Sequence, residues 1–323
     1  MIRKKLEIIL KDNSPYQELG YNLISFQDEK INSNQKQTRD SFSNKWDKID
    51  YNDKSFKELQ AHSTKWYLDL YGFKSEREFQ NFLKNKKIIL DAGCGVGHKA
   101  AWMAKLSPNS LVIAADISES IFSAAKYYRN LKNIIWVKGN IMNMPYFKDE
   151  SFDYVSCDQV IMHTTQPYET FKELNRTTKK GGELSVYVYK KKALPRELLD
   201  DHFRIKTKDL SDNQLTEFSE QLTELGKILS KQNLELTFPD IPLLGIKGGK
   251  MDIQRFIYWN FIKCFWDDKL GYKNSFLINY DWYAPSQAER YTREEFKNWI
   301  SSQDLKELYF HEENACYSGR FIK

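Results

Sequence analysis

Three glycines at alternate positions, Gly93, Gly95 and Gly97, follow Leu90-Asp91-Ala92 and enclose Cys94 and Val96. A G-x-G turn between a strand and a helix lets backbone approach a ligand closely and leaves the helix's unpaired N–H groups facing negative charge. The required frame is present: the apolar run Lys87 to Asp91 precedes the turn and the helical stretch His98 to Leu106 follows it. Spacing separates the ligand classes. A dinucleotide fingerprint wants a small residue where this chain has His98, whose bulk would obstruct a pyrophosphate. Asp116 closes a second apolar run, Leu111 to Ala115, and a carboxylate there can accept both hydroxyls of an adenosine ribose. His163 follows a later apolar run, Phe152 to Cys157, by a few residues, where parallel strands open onto a ligand crevice. Its imidazole suits a general base there; a histidine that caps or packs beside a helix is the competing reading.

These residues need a scaffold, and the chain supplies short apolar runs alternating with helical stretches. Runs at Lys87–Asp91, Leu111–Ala115, Ile134–Val137, Phe152–Cys157 and Leu184–Tyr189 alternate with helices at His98–Leu106, Ser118–Asn130 and Pro167–Thr177. Such alternation predicts a parallel sheet covered on both faces. It stops after Tyr189: Ser211–Gln232 and Met251–Trp266 read as helices around a loop at Pro239–Gly249. It returns late, with a helix at Thr292–Ile300, where Thr292 caps toward Glu295, and strands at Leu305–Phe310 and Cys316–Ile322. Residues up to about Asp50 are polar and weakly periodic, a flexible arm or a lid, and Asp53–Phe82 reads as amphipathic helices.

Leu90 to Gly97, Asp116, Gly139-Asn140-Ile141, Phe152-Asp153-Tyr154-Val155 and Lys180-Gly181-Gly182, in this order, resemble the class I S-adenosylmethionine-dependent methyltransferases. The resemblance covers about Lys87 to Tyr189. It implies an α/β, Rossmann-like, doubly wound seven-stranded sheet whose last strand is antiparallel, with S-adenosyl-L-methionine as cofactor. It also implies that Asp91, Ala92 and the turn Gly93, Cys94, Gly95 and Gly97 hold the amino-acid end of the cofactor. Asp116, with Ile117 beside it, would hold the ribose, and Asn140 and Ile141 would border the adenine. Many members carry Asp where this chain has Asn140. Tyr187–Lys192, Pro239–Gly245 and Asn279–Tyr283 further resemble a bacterial subgroup with a long insertion after the fifth strand. The expected organisation is an arm and helical cap at 1–84, a cofactor-binding core at 85–190, a helical lid insertion at 191–280 and the rest of the core sheet at 281–323.

Methyl transfer from a sulfonium is an in-line displacement, so orientation and water exclusion are what the protein must provide. The expected reaction is O- or N-methylation of a small-molecule acceptor. Asp158, at the strand end, is expected to touch the cofactor. Gln159 beside it, and Arg255, Tyr258, Asp281, Trp282 and Tyr283 from the late segments, are expected to line the acceptor pocket, although an aromatic helical stripe also serves as core. Cys94 and Cys157 lack an adjoining base, which disfavours a covalent thiol mechanism. Three alternatives share these motifs: aminocarboxypropyl transfer or cyclisation, a catalytically silent cofactor-binding subunit, and RNA methylation.

Composition narrows the classes further. Hydrophobic residues at 41% and aromatics at 15% are ample for a buried core. Lys and Arg exceed Asp and Glu by 49 to 44, spread without a basic stripe, which disfavours nucleic acid as partner. Four scattered cysteines without CxxC spacing predict free thiols in a reducing compartment and no metal site. No apolar window is long enough for a signal peptide or a membrane span, so a cytoplasmic location is expected. The acceptor and the oligomeric state are not written in the sequence.

Overall fold

The computed structural model describes residues 2–12, 14–26 and 31–323, so the expected N-terminal arm lies outside the described residues at 1, 13 and 27–30. The strands are β1 (Tyr16–Gly20), β2 (Leu23–Phe26), β3 (Ile88–Ala92), β4 (Leu111–Asp116), β5 (Ile134–Lys138), β6 (Phe152–Cys157), β7 (Thr178–Lys190), β8 (Glu235–Phe238), β9 (Gly249–Asp252), β10 (Arg290–Tyr291), β11 (Lys306–Glu312) and β12 (Cys316–Ile322). The helices are α1 (Ile2–Leu6), α2 (Ser33–Asp47), α3 (Lys54–Leu70), α4 (Glu76–Leu83), α5 (His98–Leu106), α6 (Ser120–Tyr127), α7 (Pro167–Thr177), α8 (Leu194–Thr207), α9 (Asp212–Lys231), α10 (Ile253–Asn260), α11 (Gly271–Tyr283) and α12 (Arg293–Ser302). The chain divides into two compact units: 1–32, 60–189 and 289–323 form the first, and 33–59 with 190–288 the second. The expected boundary at 280 thus falls inside α11, and the segment expected as one arm and cap contributes to both units.

The first unit is an α/β fold built on a central sheet in the order β1-β2-β5-β4-β3-β6-β7-β12-β11. Strands β3 to β6 pair in parallel, and β12 runs antiparallel to both β7 and β11. Ile88–Ala92 is buried throughout and Val112–Asp116 likewise, which is why these strands read as unbroken apolar runs instead of alternating ones. Seven strands, from β5 across to β11, form the doubly wound sheet with its last strand antiparallel. The hairpin β1–β2 extends it past β5 and the short β10 pairs with β7, giving ten strands among the described residues. The hairpin turns at Tyr21 and Asn22, both left-handed (φ 51° and 58°), the geometry of a two-residue primed turn. Residues expected to be a loose arm are therefore sheet.

Helix α6 starts two residues later than expected, because Ser118 gives both its N–H and its hydroxyl to Asp116 Oδ1. Helix α12 is closed by the reciprocal box of Thr292 and Glu295.

The second unit is mostly helical. Helix α11 packs against α9, α8 and α2, and a two-stranded sheet, β8–β9, accompanies them. The single helix expected at 251–266 is instead strand β9, helix α10 and an irregular stretch, because 249–252 pair with 235–238 and Asp252 caps α10 by accepting from Arg255 N–H. Phe238 stacks on Phe256 at 3.5 Å between ring centres, fixing the hairpin to α10. Among the described residues no helix is long and apolar enough to cross a membrane.

Candidate active site

The glycine turn leaves β3 and enters α5 with all three glycines left-handed (φ 82°, 52° and 75° at Gly93, Gly95 and Gly97). Side chains are excluded by space as well as by torsion. A Cβ on Gly93 would lie 2.4 Å from the Val160 methyls, and one on Gly97 would lie 2.6 Å from the Trp136 ring. The turn is tied to β4 by Gly93 N–H and Cys94 N–H, both donating to Ala115 O (2.8 and 3.0 Å). Ala92 and Cys94 are buried, and burial pushes the Cys94 thiol well above its ordinary range, so it supplies no thiolate at neutral pH.

Asp91 ends β3 beneath this turn and is buried. Burial pushes its carboxyl up to about 7; Lys99 opposes the rise, and the neighbouring charges of Asp158 and Asp116 add to it. Its Oδ2 has no hydrogen-bond partner among the described residues. A buried carboxylate oxygen without a donor is costly, and its presence beside a ligand turn marks where a cationic donor belongs.

Asp116 shows the opposite condition. Its Oδ2 accepts from Gly95 N–H (2.7 Å), and its Oδ1 from Ser118 N–H (2.7 Å) and Oγ–H (2.6 Å). Of roughly four acceptor positions on a carboxylate, three are used to shape the turn. Gripping both hydroxyls of a ribose therefore requires exchanging at least one internal bond. Ile117 O accepts from Lys138 Nζ (2.8 Å). Asn140 Oδ1 accepts from Met142 N–H (3.0 Å) in an Asx turn, and Ile141 is buried against the sheet core.

At the end of β6, Asp158 accepts three hydrogen bonds. Tyr71 Oη donates to its Oδ1 (2.8 Å), while Lys99 and Gln159 (3.2 Å) donate to its Oδ2. Gln159 sits at φ 63°, a conformation disfavoured for a residue with a Cβ, so the strand end carries local backbone strain. His163 lies one turn further on, buried, with Nε2 3.3 Å from Tyr189 Oη at the end of β7. The two rings meet edge to face at 5.5 Å. His98, read from the sequence as an obstacle to pyrophosphate, is half-buried with Nε2 3.1 Å from Ser63 Oγ, and desolvation, then Lys99, holds its pKa down to about 3. It is neutral.

Three members of this site escaped the sequence reading: Lys99, Tyr71 and Tyr189. Only Lys99 carried a signal, because a cation in a helix's first turn opposes the macrodipole and implies a nearby acid.

The residues expected to line an acceptor pocket divide. Gln159 belongs to the first unit; Arg255, Tyr258, Asp281, Trp282 and Tyr283 belong to the second. There, Trp282 Nε1 donates to Asp200 Oδ1 (2.8 Å), Arg196 Nε to Asp200 Oδ2 (2.9 Å), and Arg196 also reaches Tyr258 O. Tyr283 Oη donates to Lys263 O (3.0 Å), and the Lys263 ammonium lies 4.4 Å over the Trp282 ring. Tyr258, Trp282 and Tyr283 thus gather around a buried ion pair. Arg255 is held by Trp266 O (3.2 Å), and Asp281 pairs with Lys45 (2.8 Å).

Residues 90–186 match the family described as Methyltransferase domain. An uncharacterized methyltransferase of Schizosaccharomyces pombe is 30% identical over 141 residues, covering 38% of this chain and 50% of that protein. Demethylmenaquinone methyltransferase of Staphylococcus saprophyticus is 35% identical over 105 residues, covering 31% and 43% respectively. The chain therefore spans about half the length of these curated relatives, or less. The solved structure of PKMT2 from Rickettsia typhi in complex with AdoHcy superposes with a TM-score of 0.49 at 17% identity, covering 74% of this chain and 49% of that one.

Proposed function

From residues 90–186, a class I S-adenosylmethionine-dependent methyltransferase domain, we infer that the protein transfers a methyl group to a hydroxyl or amine of a small-molecule acceptor. The observation that carries this reading is the glycine turn together with the partnerless Asp91 Oδ2, which suits the α-ammonium of the cofactor's amino-acid end. When bound, the cofactor supplies an electrophilic methyl on a positively charged sulfur. Everything else is the work of this chain.

Asp91 and the turn would hold the cofactor's amino-acid end, Asp116 would hold the ribose by exchanging an internal bond, and Asn140 and Ile141 would border the adenine. Asp158 holds Lys99 and Gln159 in place at the strand end. His163 takes the acceptor's proton on its imidazole, and Tyr189 Oη, 3.3 Å from Nε2, fixes the ring's direction. In the second unit, Tyr258, Trp282 and Tyr283 build the support around Arg196 and Asp200, while Arg255 is held by Trp266 O and Asp281 by Lys45. Nucleic acid is not the proposed partner, and four buried thiols accord with work in a reducing compartment such as the cytoplasm.

The test is product analysis by mass spectrometry with labelled cofactor and a panel of hydroxyl and amine acceptors. Release of S-adenosylhomocysteine with one methyl gained by an acceptor is the expected result. Methylthioadenosine as the nucleoside product would replace methyl transfer by chemistry of the aminocarboxypropyl arm.

A further inference from the structure

At the tip of the β11–β12 hairpin three different donors converge: the His311 imidazole, the Glu313 carboxylate and the Cys316 thiol, with all ligand atoms within 4.8 Å of one another. None of them has a role in the chemistry proposed above. Sheet geometry explains the convergence. His311 faces Ser318 across the hairpin, and directly paired residues point to the same face. Residues two apart along a strand also share a face, which places Cys316 beside Ser318, and Glu313, just past the end of β11, reaches His311 Nε2 at 3.4 Å. The tip is closed by Glu313 N–H donating to Cys316 O (3.1 Å).

We propose that His311, Glu313 and Cys316 form a binding site for one thiophilic divalent transition cation of the zinc type. His311 Nε2 lies 3.4 Å from Glu313 Oε2, and Cys316 Sγ lies 3.6 Å from Glu313 Oε1. Neighbouring donors around a four-coordinate zinc are about 3.3–3.7 Å apart, given the usual Zn–N, Zn–O and Zn–S bond lengths. The two distances use different oxygens of the Glu313 carboxylate, and one donor atom from each of the three residues lies within 4.8 Å of the others, so small rotations of the partly exposed His311 and Glu313 side chains are what a bound cation requires. The donor set of one nitrogen, one carboxylate and one sulfur selects a borderline-soft cation over magnesium or calcium, which take oxygen ligands. Cys316 is fully buried, whereas the side chains of His311 and Glu313 keep 20% and 35% of their exposure, so the cluster opens to solvent on one side. That side leaves the fourth position to water or a ligand atom. On binding, the Cys316 thiol gives its proton to solvent and the thiolate takes the metal. Cys316 pairs with Tyr189 in β7, so the cation would brace the strand whose tyrosine touches His163. Cysteine spacing cannot reveal such a site, because only one of its donors is a cysteine.

The experiment is titration of the chelator-treated full-length protein with cobalt(II) alone, then zinc(II) in competition, with His311→Ala, Glu313→Gln and Cys316→Ser run alongside. One equivalent of cobalt should give a thiolate-to-metal charge-transfer band and the intense visible bands of a four-coordinate site, both bleached by zinc. The charge-transfer band should vanish in C316S. In H311A and E313Q, whose changes sit at the partly exposed tip and spare the core, cobalt should bind more weakly by over about 100-fold, beyond what losing a merely supporting partner costs. Absence of the charge-transfer band in folded wild-type protein overturns the proposal. So does a band of undiminished affinity in H311A and E313Q.

Discussion

Each unit buries a charged pair, and the two pairs are finished differently. In the second unit, Asp200 accepts from Arg196 and Trp282 while Arg196 also reaches a backbone carbonyl, so every partner is protein. In the first unit, Asp158 is equally well supplied by Lys99, Tyr71 and Gln159, yet Asp91 beside it keeps a buried oxygen with no donor. A closed network does structural work and is indifferent to ligand. An open one holds a cost that a proton or a bound cation relieves, which is why the first is read as support and the second as a binding site.

The widest break in this comparison is at Asp200. Replacing it with Ala leaves the Arg196 guanidinium buried and unpaired, so urea denaturation should show a loss of about 3–5 kcal/mol. Changing both partners together, Arg196→Met with Asp200→Leu, should recover most of that loss. A double variant as unstable as D200A would show that the pair is more than closed scaffolding.

Next comes Asp91→Asn. It should weaken S-adenosylhomocysteine binding by about 10–100-fold, the worth of about 1.5–3 kcal/mol for a hydrogen bond to a charged group. Thermal melting of the ligand-free protein should rise or stay level, because a desolvated carboxylate has been removed. A fall in stability with binding unchanged would reverse the roles assigned to the two regions.

The pH dependences should also be opposite. Asp91 binds its proton more tightly when folded, from 3.8 to about 7, so its stabilising contribution is complete below pH 4 and is lost as pH rises through 7. Lys263 is lowered from 10.5 to about 7, by burial first and then by Arg196, so the unfolded chain holds the extra proton and stability grows as pH rises from 7 toward 10.5. Urea midpoints across this range should lose the lower slope in D91N and the upper slope in Lys263→Met.

The smallest effect is expected at the strained strand end. Gln159→Gly relieves a left-handed backbone, which stores about 1–3 kcal/mol, against a flexibility penalty of up to about 1 kcal/mol. A modest rise in melting temperature with reduced turnover is expected. A fall in melting temperature would mean that Gln159's bond to Asp158 outweighs the strain.

What could be read in the sequence was what neighbouring residues dictate. The glycine turn, the buried runs of β3 and β4 and the box of Thr292 with Glu295 are local patterns with a single physical solution. The hairpin β1–β2 was hidden because its turn uses Tyr21-Asn22 without glycine between them, and because β2 depends on pairing with β5, more than a hundred residues away. Long range also hid the site's supports. Tyr71 meets Asp158, and Tyr189 meets His163, only after the sheet is assembled. Arg196 and Asp200, one turn apart on α8, are enclosed by Trp282 and Tyr258, which arrive from distant segments.

The central claim is that Asp91 awaits a cationic donor, and calorimetric titration with S-adenosylhomocysteine between pH 5 and 8 tests it most directly. Because ligand takes the ionised carboxylate, affinity should fall about tenfold for each pH unit below 7 in the wild type and stay flat in D91N. A flat wild-type profile, or no heat of binding at any pH, would contradict it.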